Sequence, residues 1–300
     1  MDINFELYKT FYHVAKNNSF SDAATKLHVS QSAISQAIKN LEDKTGSQLF
    51  FRKTREIKLT AEGKLLYKHI EQAYNFIKTG ENKLLESQNL ENGEIRIGVS
   101  DTICKYYLID TIGKFINKHP KVKIQVINRT SHQIHNILKE GKIDFGIVTL
   151  PVHEKGFVVE NFQSVEDIFV ASDKFIELKD KKVSLKELSD YPLLMLDRNS
   201  ATRRNIDFFI QKKGLNLIPE IELESIDLLL EFAKIGLGIA HVLKESASSF
   251  IDKKELFKVE LKEKLALRKL GIITTKNVPI SRTSTEFINL LIQPQFQPLE

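Results

Sequence analysis

Apolar residues recur at three- and four-residue spacing through the first 45 residues and predict three short helices. The first helix is predicted over 5–17, and the second follows a candidate N-cap at Ser21. The third lies between Ser30, a candidate N-cap, and Gly46, which suits a left-handed C-terminal cap. Its apolar stripe consists of Ile34, Ile38 and Leu41. Two short helices, a tight turn and a third helix form the layout of a helix-turn-helix.

The opposite face of the third helix carries hydroxyl and amide side chains, where a helix needing only solubility would usually show Glu and Lys. These polar residues are Gln31, Ser32, Ser35, Gln36 and Lys39. Hydroxyls and amides donate and accept at base edges, and a lysine supplies a cation for phosphate. We therefore predict that this helix is a recognition helix and that these five residues bind DNA.

A basic hairpin follows the third helix, in which Ile57 and Leu59 alternate with polar residues as in a strand. Its predicted DNA-binding cations are Arg52, Lys53 and Arg55. A basic hairpin in this position can contact phosphates or the minor groove. The sequence therefore predicts a winged helix-turn-helix domain over 1–59.

A long helix is predicted over 60–90, capped by Thr60. Steps of four and three alternate along one seam made of Leu66, Ile70, Ala73, Ile77, Gly80 and Leu84, and all of these except Gly80 are predicted dimerisation residues. Such a heptad seam predicts dimerisation, which would pair two recognition helices on half-sites about one helical turn apart. The alternative is that this helix packs only on its own domain.

Strand and helix patterns alternate from residue 91 to 300, which predicts βαβ units and parallel sheets. We expect two α/β subdomains, the first over 91–162 and 268–300 and the second over 163–267. Two crossings of the chain between them would make a cleft that can close around a small ligand by hinge motion.

Polar residues stand where predicted strands end and helices begin, which is where such sheets bind ligands. The predicted effector-binding residues are Ser100, Asp101, Thr102, Thr130, Ser131, Thr149, Ser200 and Thr202. Hydroxyls and free N–H groups at helix starts suit a carboxylate, such as an organic or amino acid. For each hydroxyl, helix capping is an equally good explanation. The Asp101 carboxylate argues slightly against a plain anion.

Composition and motifs exclude several other classes of protein. The chain of 300 residues has a net charge of +5, which permits nucleic-acid binding without requiring it. A single cysteine excludes an intramolecular disulfide, and no signal-peptide pattern or membrane-length apolar run is present. We therefore expect a cytoplasmic protein without membrane association. Nothing in the sequence resembles a catalytic motif, so we predict that the chain is not an enzyme and has no cofactor.

Three further residues carry chemistry that we weigh and set aside. Cys104 lies near a predicted helix start that would stabilise a thiolate, but a redox switch usually needs a second thiol. His132 and His135 are spaced i, i+3 and could begin a metal site. Because no cysteine or carboxylate-rich cluster lies nearby in the sequence, we predict no metal.

The segment AATKLHVSQSAISQAIKNLEDKTGSQLFFRKTREIKLTAEG resembles the N-terminal domain of LysR-type transcriptional regulators. The resemblance covers the whole chain, more loosely after residue 90. It implies an α+β multidomain fold: a winged helix-turn-helix, a long dimerisation helix and a two-subdomain effector domain like a periplasmic binding protein. At matching positions, DNA contacts are implied for Gln31, Ser32, Ser35 and Lys39, and for Arg52 in the wing. Gln36 and Phe51 depart from the common pattern of the family.

The predicted function is sequence-specific transcription regulation, with operator binding modulated by a small-molecule effector. The expected partners are a double-stranded operator, further copies of the chain in a dimer or tetramer, the effector and, for an activator, RNA polymerase. Two alternatives to this function remain open. In the first, the chain is a small-molecule-binding protein or enzyme whose N-terminal helices only dimerise it. In the second, it is an architectural DNA binder with a vestigial cleft.

Overall fold

The fold is that of a computed structural model, which describes residues 2–51, 57–88 and 93–293. The chain forms two compact units. The N-terminal unit contains the first three helices, the arms of the hairpin and most of the long helix. The C-terminal unit contains two β-sheets and their helices.

The helices of the N-terminal unit begin and end close to the positions that the apolar spacing predicts. They are α1 (Phe5–Asn17), α2 (Phe20–Leu27), α3 (Gln31–Thr45) and α4 (Ala61–Gln88). The buried core of the unit is made of Phe11, Val14, Ala15, Ala23, Ala24, Ile34, Ile38, Leu41, Leu49 and Phe50. The predicted stripe of α3 therefore faces this core, and the helix-turn-helix is confirmed.

Both predicted caps of α3 are present. The Ser30 hydroxyl accepts a hydrogen bond from the Ala33 N–H at 3.2 Å, and Gly46 adopts the left-handed conformation with φ of 67°. The predicted cap of α2 was wrong, because Ser19 rather than Ser21 accepts from the Asp22 N–H. Ser21 is the second residue of α2.

The hairpin arms are joined by backbone hydrogen bonds on both sides of an antiparallel bridge between Phe50 and Leu59. The Glu42 carboxylate, buried at the end of α3, accepts from the backbone N–H groups of Leu49 at 2.7 Å and Phe50 at 3.3 Å. Gly63 lies so close to the first arm that a Cβ would overlap the Leu49 carbonyl oxygen. These contacts fix the start of the wing on the helical core.

Helix α4 is only partly covered by the N-terminal unit. Leu66 and Ile70 pack against its core, and the Tyr74 hydroxyl lies 3.3 Å from Nε2 of His13. Farther along the same seam Ala73 is exposed, and Ile77 and Leu84 are exposed by 43% and 69%. The predicted dimerisation seam therefore divides into a first part that packs on its own domain and a second part that is open.

The C-terminal unit contains two mixed sheets. The first sheet has the order β2 (Lys123–Asn128), β1 (Glu94–Val99), β3 (Phe145–Thr149), β11 (Arg268–Thr275) and β4 (Phe157–Val165). The second has the order β6 (Lys182–Val183), β10 (Phe257–Leu261), β5 (Asp167–Ala171), β9 (Ile239–Leu243), β7 (Leu193–Leu196) and β8 (Ile221–Leu223). The chain enters the second sheet after β4 and returns to the first through β11.

The parallel pairing predicted from the βαβ pattern is present for β1 with β2 and β3 and for β7 with β8 and β9, but the sheets also contain antiparallel pairs. Strand β11 runs antiparallel to both β3 and β4, and β5 runs antiparallel to β9 and β10. Each antiparallel pairing arises where the chain crosses between sheets, because a strand arriving from the other sheet need not follow a βαβ crossover.

The helices of the C-terminal unit flank these sheets. They are α5 (Asp101–Ile103), α6 (Ile109–Lys118), α7 (Ser131–Lys139), α8 (Leu185–Leu188), α9 (Ala201–Lys212), α10 (Ile226–Lys234), α11 (Lys244–Asp252) and α12 (Arg282–Ile292). A π-helical turn, Cys104–Leu108, joins α5 to α6, and a short 3₁₀ helix, Asp173–Leu178, follows β5. Among the described residues, no helix is both long and apolar enough to span a membrane.

Candidate functional site

The first candidate site is the solvent-exposed face of α3. All five predicted residues on this helix are exposed: Gln31, Ser32, Ser35, Gln36 and Lys39. The buried stripe on the other side of the helix fixes its orientation, since Ile34 and Leu41 are at most 1% exposed. The polar face is thus held outward by the packing of the apolar one.

Some polar groups on this face already have partners within the helix. The Ser35 hydroxyl donates to the Gln31 carbonyl oxygen at 3.0 Å, and the Gln36 amide donates to Asn40 Oδ1 at 2.9 Å. The Gln36 bond holds its amide along the helix surface, where it remains exposed. The predicted wing residues Arg52, Lys53 and Arg55 lie outside the described residues.

The second candidate site is a cavity of about 770 Å³ within the C-terminal unit. Every predicted effector-binding residue lines it: Ser100, Asp101, Thr102, Thr130, Ser131, Thr149, Ser200 and Thr202. Residues at the carboxyl ends of β1, β2 and β3 contribute one wall, and residues at the carboxyl end of β7 contribute another. The cavity therefore lies at the carboxyl ends of strands from both sheets, as expected for α/β folds.

The lining hydroxyls fall into two groups when helix capping is considered. Ser100 and Ser200 precede α5 and α9, and neither side chain makes a capping hydrogen bond to these fully described helices. The Ser131 hydroxyl accepts from the Thr149 N–H at 3.3 Å, and Thr130 exchanges hydrogen bonds with Gln133. Capping therefore accounts for Thr130 but leaves the Ser100 and Ser200 hydroxyls available to the cavity.

A buried ion pair lies beside the cavity, at the two crossings between the sheets. Nε and Nη2 of Arg268 donate to the two oxygens of Asp167 at 2.9 and 2.8 Å. Nη1 of Arg268 donates to the Thr149 hydroxyl at 3.3 Å and so reaches the cavity wall. Near this pair, burial lowers the pKa of His241 to about 4, although the Asp167 carboxylate opposes that shift.

Charges on the cavity wall balance in number. Three guanidinium groups line it, from Arg129, Arg204 and Arg268, and three carboxylates, from Asp101, Asp197 and Glu224. The neighbouring Arg203 is not part of this wall: its side chain is 3% exposed, and its Nε lies 2.8 Å from Oδ1 of Asp207.

Two matches to known protein families together cover most of the chain. Residues 5–64 match the bacterial regulatory helix-turn-helix protein, lysR family, and residues 88–294 match the LysR substrate binding domain. The chain belongs to the lysR family. It is therefore a sequence-specific DNA-binding transcriptional regulator, with a domain that binds a small-molecule effector and modulates operator binding.

Individual relatives agree with this membership along nearly the full length. The probable RuBisCO transcriptional regulator of Cyanidium caldarium is 28% identical, over 91% of this chain and 88% of its own. A full-length OxyR variant from Pseudomonas aeruginosa shares 18% identity with a TM-score of 0.73, covering 100% of both chains. Full-length CbnR in complex with its target DNA shares 18% identity with a TM-score of 0.69, over 96% of this chain and 99% of that one. At such identities, the two solved structures show the fold alone.

Sequence reasoning missed several polar residues of this regulator's cavity. Asn128, the last residue of β2, and Arg129, the next residue, both line it, so the same strand-end signal that selected Thr130 also applied to them. Arg268 gave no such signal, because it begins a strand that returns from the other sheet. Only the crossing of the chain brings it to the cavity.

Two interpretations of reactive side chains also change. The expected stabilisation of a Cys104 thiolate was wrong, because burial and the Asp101 carboxylate raise the pKa of the thiol. The prediction of no metal at His132 and His135 was based on the lack of a cysteine or carboxylate-rich cluster nearby, and the fold brings one carboxylate to them from a separate segment. Oε1 of Glu154 lies 3.8 Å from Nδ1 of His132 and 3.1 Å from Nδ1 of His135.

Proposed function

We propose that the exposed face of α3 reads the operator in the major groove and that the wing cations contact the flanking phosphates. The supporting observation is the exposure of Gln31, Ser32 and Lys39 opposite a stripe that the core fully covers. Side chains of these types distinguish bases through paired donors and acceptors. The roles of Arg52, Lys53 and Arg55 rest on the basic character of the hairpin and on the family resemblance.

Operator binding at several salt concentrations tests these roles. Gln31→Ala should lower the ratio of specific to nonspecific affinity by about tenfold, the equivalent of about 1.4 kcal/mol. Arg52→Ala should weaken binding to all sequences and flatten the salt dependence by about one unit of slope. Gln48→Ala, an exposed glutamine beyond the end of α3, is the matched control. Unchanged discrimination in Gln31→Ala would exclude this role for the helix.

The cavity of the C-terminal unit is proposed to bind the effector. Its balanced charges and its uncapped hydroxyls favour a small polar molecule that carries both signs or many hydrogen-bonding groups, such as an amino acid or hydroxylated organic acid. The eight predicted residues that line the cavity would supply the contacts. This proposal assigns the cavity to binding, with no catalytic step and no further cofactor.

A thermal-shift screen with amino, organic and aromatic acids tests the effector proposal, because a ligand of the folded state raises the melting temperature by mass action. For any compound found, Ser100→Ala and Ser200→Ala should each weaken binding about tenfold. Ser249→Ala, an exposed serine of α11 away from the cavity lining, should leave it unchanged. Equal affinity in all three variants would contradict the assignment of these hydroxyls.

Self-association is proposed through the open part of the α4 seam. Ala73, Ile77 and Leu84 present an apolar stripe that the N-terminal unit leaves exposed, while Leu66 and Ile70 would support it from within their own domain. Sedimentation of the Ile77→Glu, Leu84→Glu double variant should show smaller assemblies than the parent dimer or tetramer. The regulator would act in the cytoplasm and, if it is an activator, contact RNA polymerase there.

A further inference from the structure

Three metal-ligating side chains converge at the edge of the cavity from two separate segments. His132 and His135 lie on one face of α7, and Glu154 comes from the connection between β3 and β4. One ligand atom from each lies within 4.8 Å of the others. Two imidazole nitrogens and one carboxylate oxygen form a donor set that catalytic and sensory zinc sites use.

We propose that His132, His135 and Glu154 bind one divalent transition-metal ion of the Zn²⁺ class. Ligand atoms about 2.0–2.2 Å from a tetrahedral ion lie roughly 3.3 Å from each other. Oε1 of Glu154 already lies 3.1 Å from Nδ1 of His135 and 3.8 Å from Nδ1 of His132. Closing the site therefore requires only a small movement of His132, whose side chain is 69% exposed.

The site combines a fixed ligand with two adjustable ones. The His135 side chain is 11% exposed and its ring packs on Phe157, with 5.4 Å between ring centroids. Glu154 is 30% exposed and His132 more so, and both can turn toward an entering ion. A buried anchor with mobile partners lowers the cost of ordering the site while leaving an entry path for the metal.

The composition of the site sets its selectivity. Nitrogen ligands favour Zn²⁺ and its first-row neighbours, whereas Mg²⁺ and Ca²⁺ prefer all-oxygen sites. Three protein ligands leave a fourth tetrahedral position for water or another ligand. Because His132 lines the effector cavity, a bound ion would add positive charge to a wall whose other charges balance.

Competition with a chromophoric chelator tests the proposal on the full-length, tag-free chain after dialysis against EDTA. The parent should bind one Zn²⁺ per chain and should not bind Mg²⁺. Glu154→Gln and His132→Ala should each weaken Zn²⁺ binding at least about tenfold. These two positions are chosen because neither opens the core, whereas removal of His135 would disturb its packing on Phe157.

Two matched variants identify the ligands. His153→Ala removes an exposed imidazole next to Glu154 in the sequence, and Cys104→Ser removes the only thiol; both should bind Zn²⁺ like the parent. The proposal is overturned if the parent shows no stoichiometric binding, which would leave a simple imidazole–carboxylate hydrogen bond. It is also overturned if His153→Ala or Cys104→Ser weakens binding as much as Glu154→Gln. Because the readout is metal binding alone, failure here leaves the proposed effector cavity unaffected.

Discussion

The buried pair between Arg268 and Asp167 offers a direct test of what holds the two sheets together. The side chains are 4% and 6% exposed and share two hydrogen bonds of 2.8 and 2.9 Å. Asp167 begins β5, where the chain enters the second sheet, and Arg268 begins β11, where it returns. The substitution Arg268→Met keeps much of the side-chain volume but removes the charge and all its donors.

The expected cost follows from the burial of the remaining partner. Without Arg268, the Asp167 carboxylate stays in a poorly solvated site with no counter-charge, which typically costs about 3–5 kcal/mol. Replacing both members, as in Arg268→Met with Asp167→Leu, removes the buried charge altogether and should be nearly neutral. The two substitutions should therefore be strongly non-additive, with a coupling free energy above about 2 kcal/mol.

Urea denaturation followed by far-UV circular dichroism and tyrosine fluorescence measures these free energies, since the chain contains no tryptophan. The C-terminal unit should be the unit that loses stability. Arg129→Met removes an exposed guanidinium group that, among the described contacts, donates only to the Asn128 carbonyl oxygen. This control should change the free energy of unfolding by less than about 0.5 kcal/mol. A cost below about 1 kcal/mol for Arg268→Met, or simple additivity in the double variant, would refute this reasoning.

Three other changes test local features of both units. Glu42→Ala removes the acceptor of two backbone N–H groups and should lower the free energy of unfolding by about 2 kcal/mol. The control Asp43→Ala, at the exposed neighbouring residue, should change it little. Chemical denaturation of the two variants measures the difference. Gly63→Ala should destabilise the N-terminal unit, because the added Cβ overlaps the Leu49 carbonyl oxygen. In the same helix, the added Cβ of Gly80→Ala meets nothing within 4 Å, so this substitution should stabilise the unit by up to about 1 kcal/mol through helix propensity. The pKa of His241 is lowered to about 4 by burial, so the folded state stays neutral where the unfolded state binds a proton. The stability that neutral His241 contributes should therefore be fully present above about pH 6.5 and be lost, by up to about 3 kcal/mol, as the pH drops toward 4. Urea titrations at pH 7.5 and 5 should show a smaller loss of stability in His241→Phe than in the parent.

Local signals were sufficient for the N-terminal unit. Both ends of α3 could be predicted because a serine cap, an apolar stripe and a glycine at the left-handed position are all written within 17 residues. The misplaced cap of α2 has the same local origin, since Ser19 and Ser21 both precede apolar residues at helical spacing. The hydrogen bonds of Glu42 could not be predicted, because an acidic residue near a helix end usually faces solvent.

Non-local contacts limited the prediction for the C-terminal unit. Strand β4 (Phe157–Val165) has no clear sequence signal, because its apolar and polar residues do not alternate cleanly and its pairing partner β11 lies about 100 residues later. The approach of Arg268 to Thr149 was hidden by a comparable separation in the sequence. Glu154 lies much nearer to His132 along the chain, but on a separate segment after β3, so helical spacing could not reveal their approach. The cavity residues at the carboxyl ends of β1, β2, β3 and β7 could be predicted because strand ends mark the ligand side of such sheets.

The proposed contacts of Ser100 and Ser200 with the effector offer a way for binding to favour one arrangement of the two sheets. Ser100 follows β1 of the first sheet, and Ser200 follows β7 of the second. An effector that contacts both hydroxyls binds most tightly to the arrangement of the sheets that brings them to the right separation. That difference in affinity between arrangements is what a ligand needs to shift a conformational equilibrium. A hydroxyl engaged in capping, such as that of Thr130, has less hydrogen-bonding capacity to offer, so its removal should reduce stability more than it reduces the response to effector.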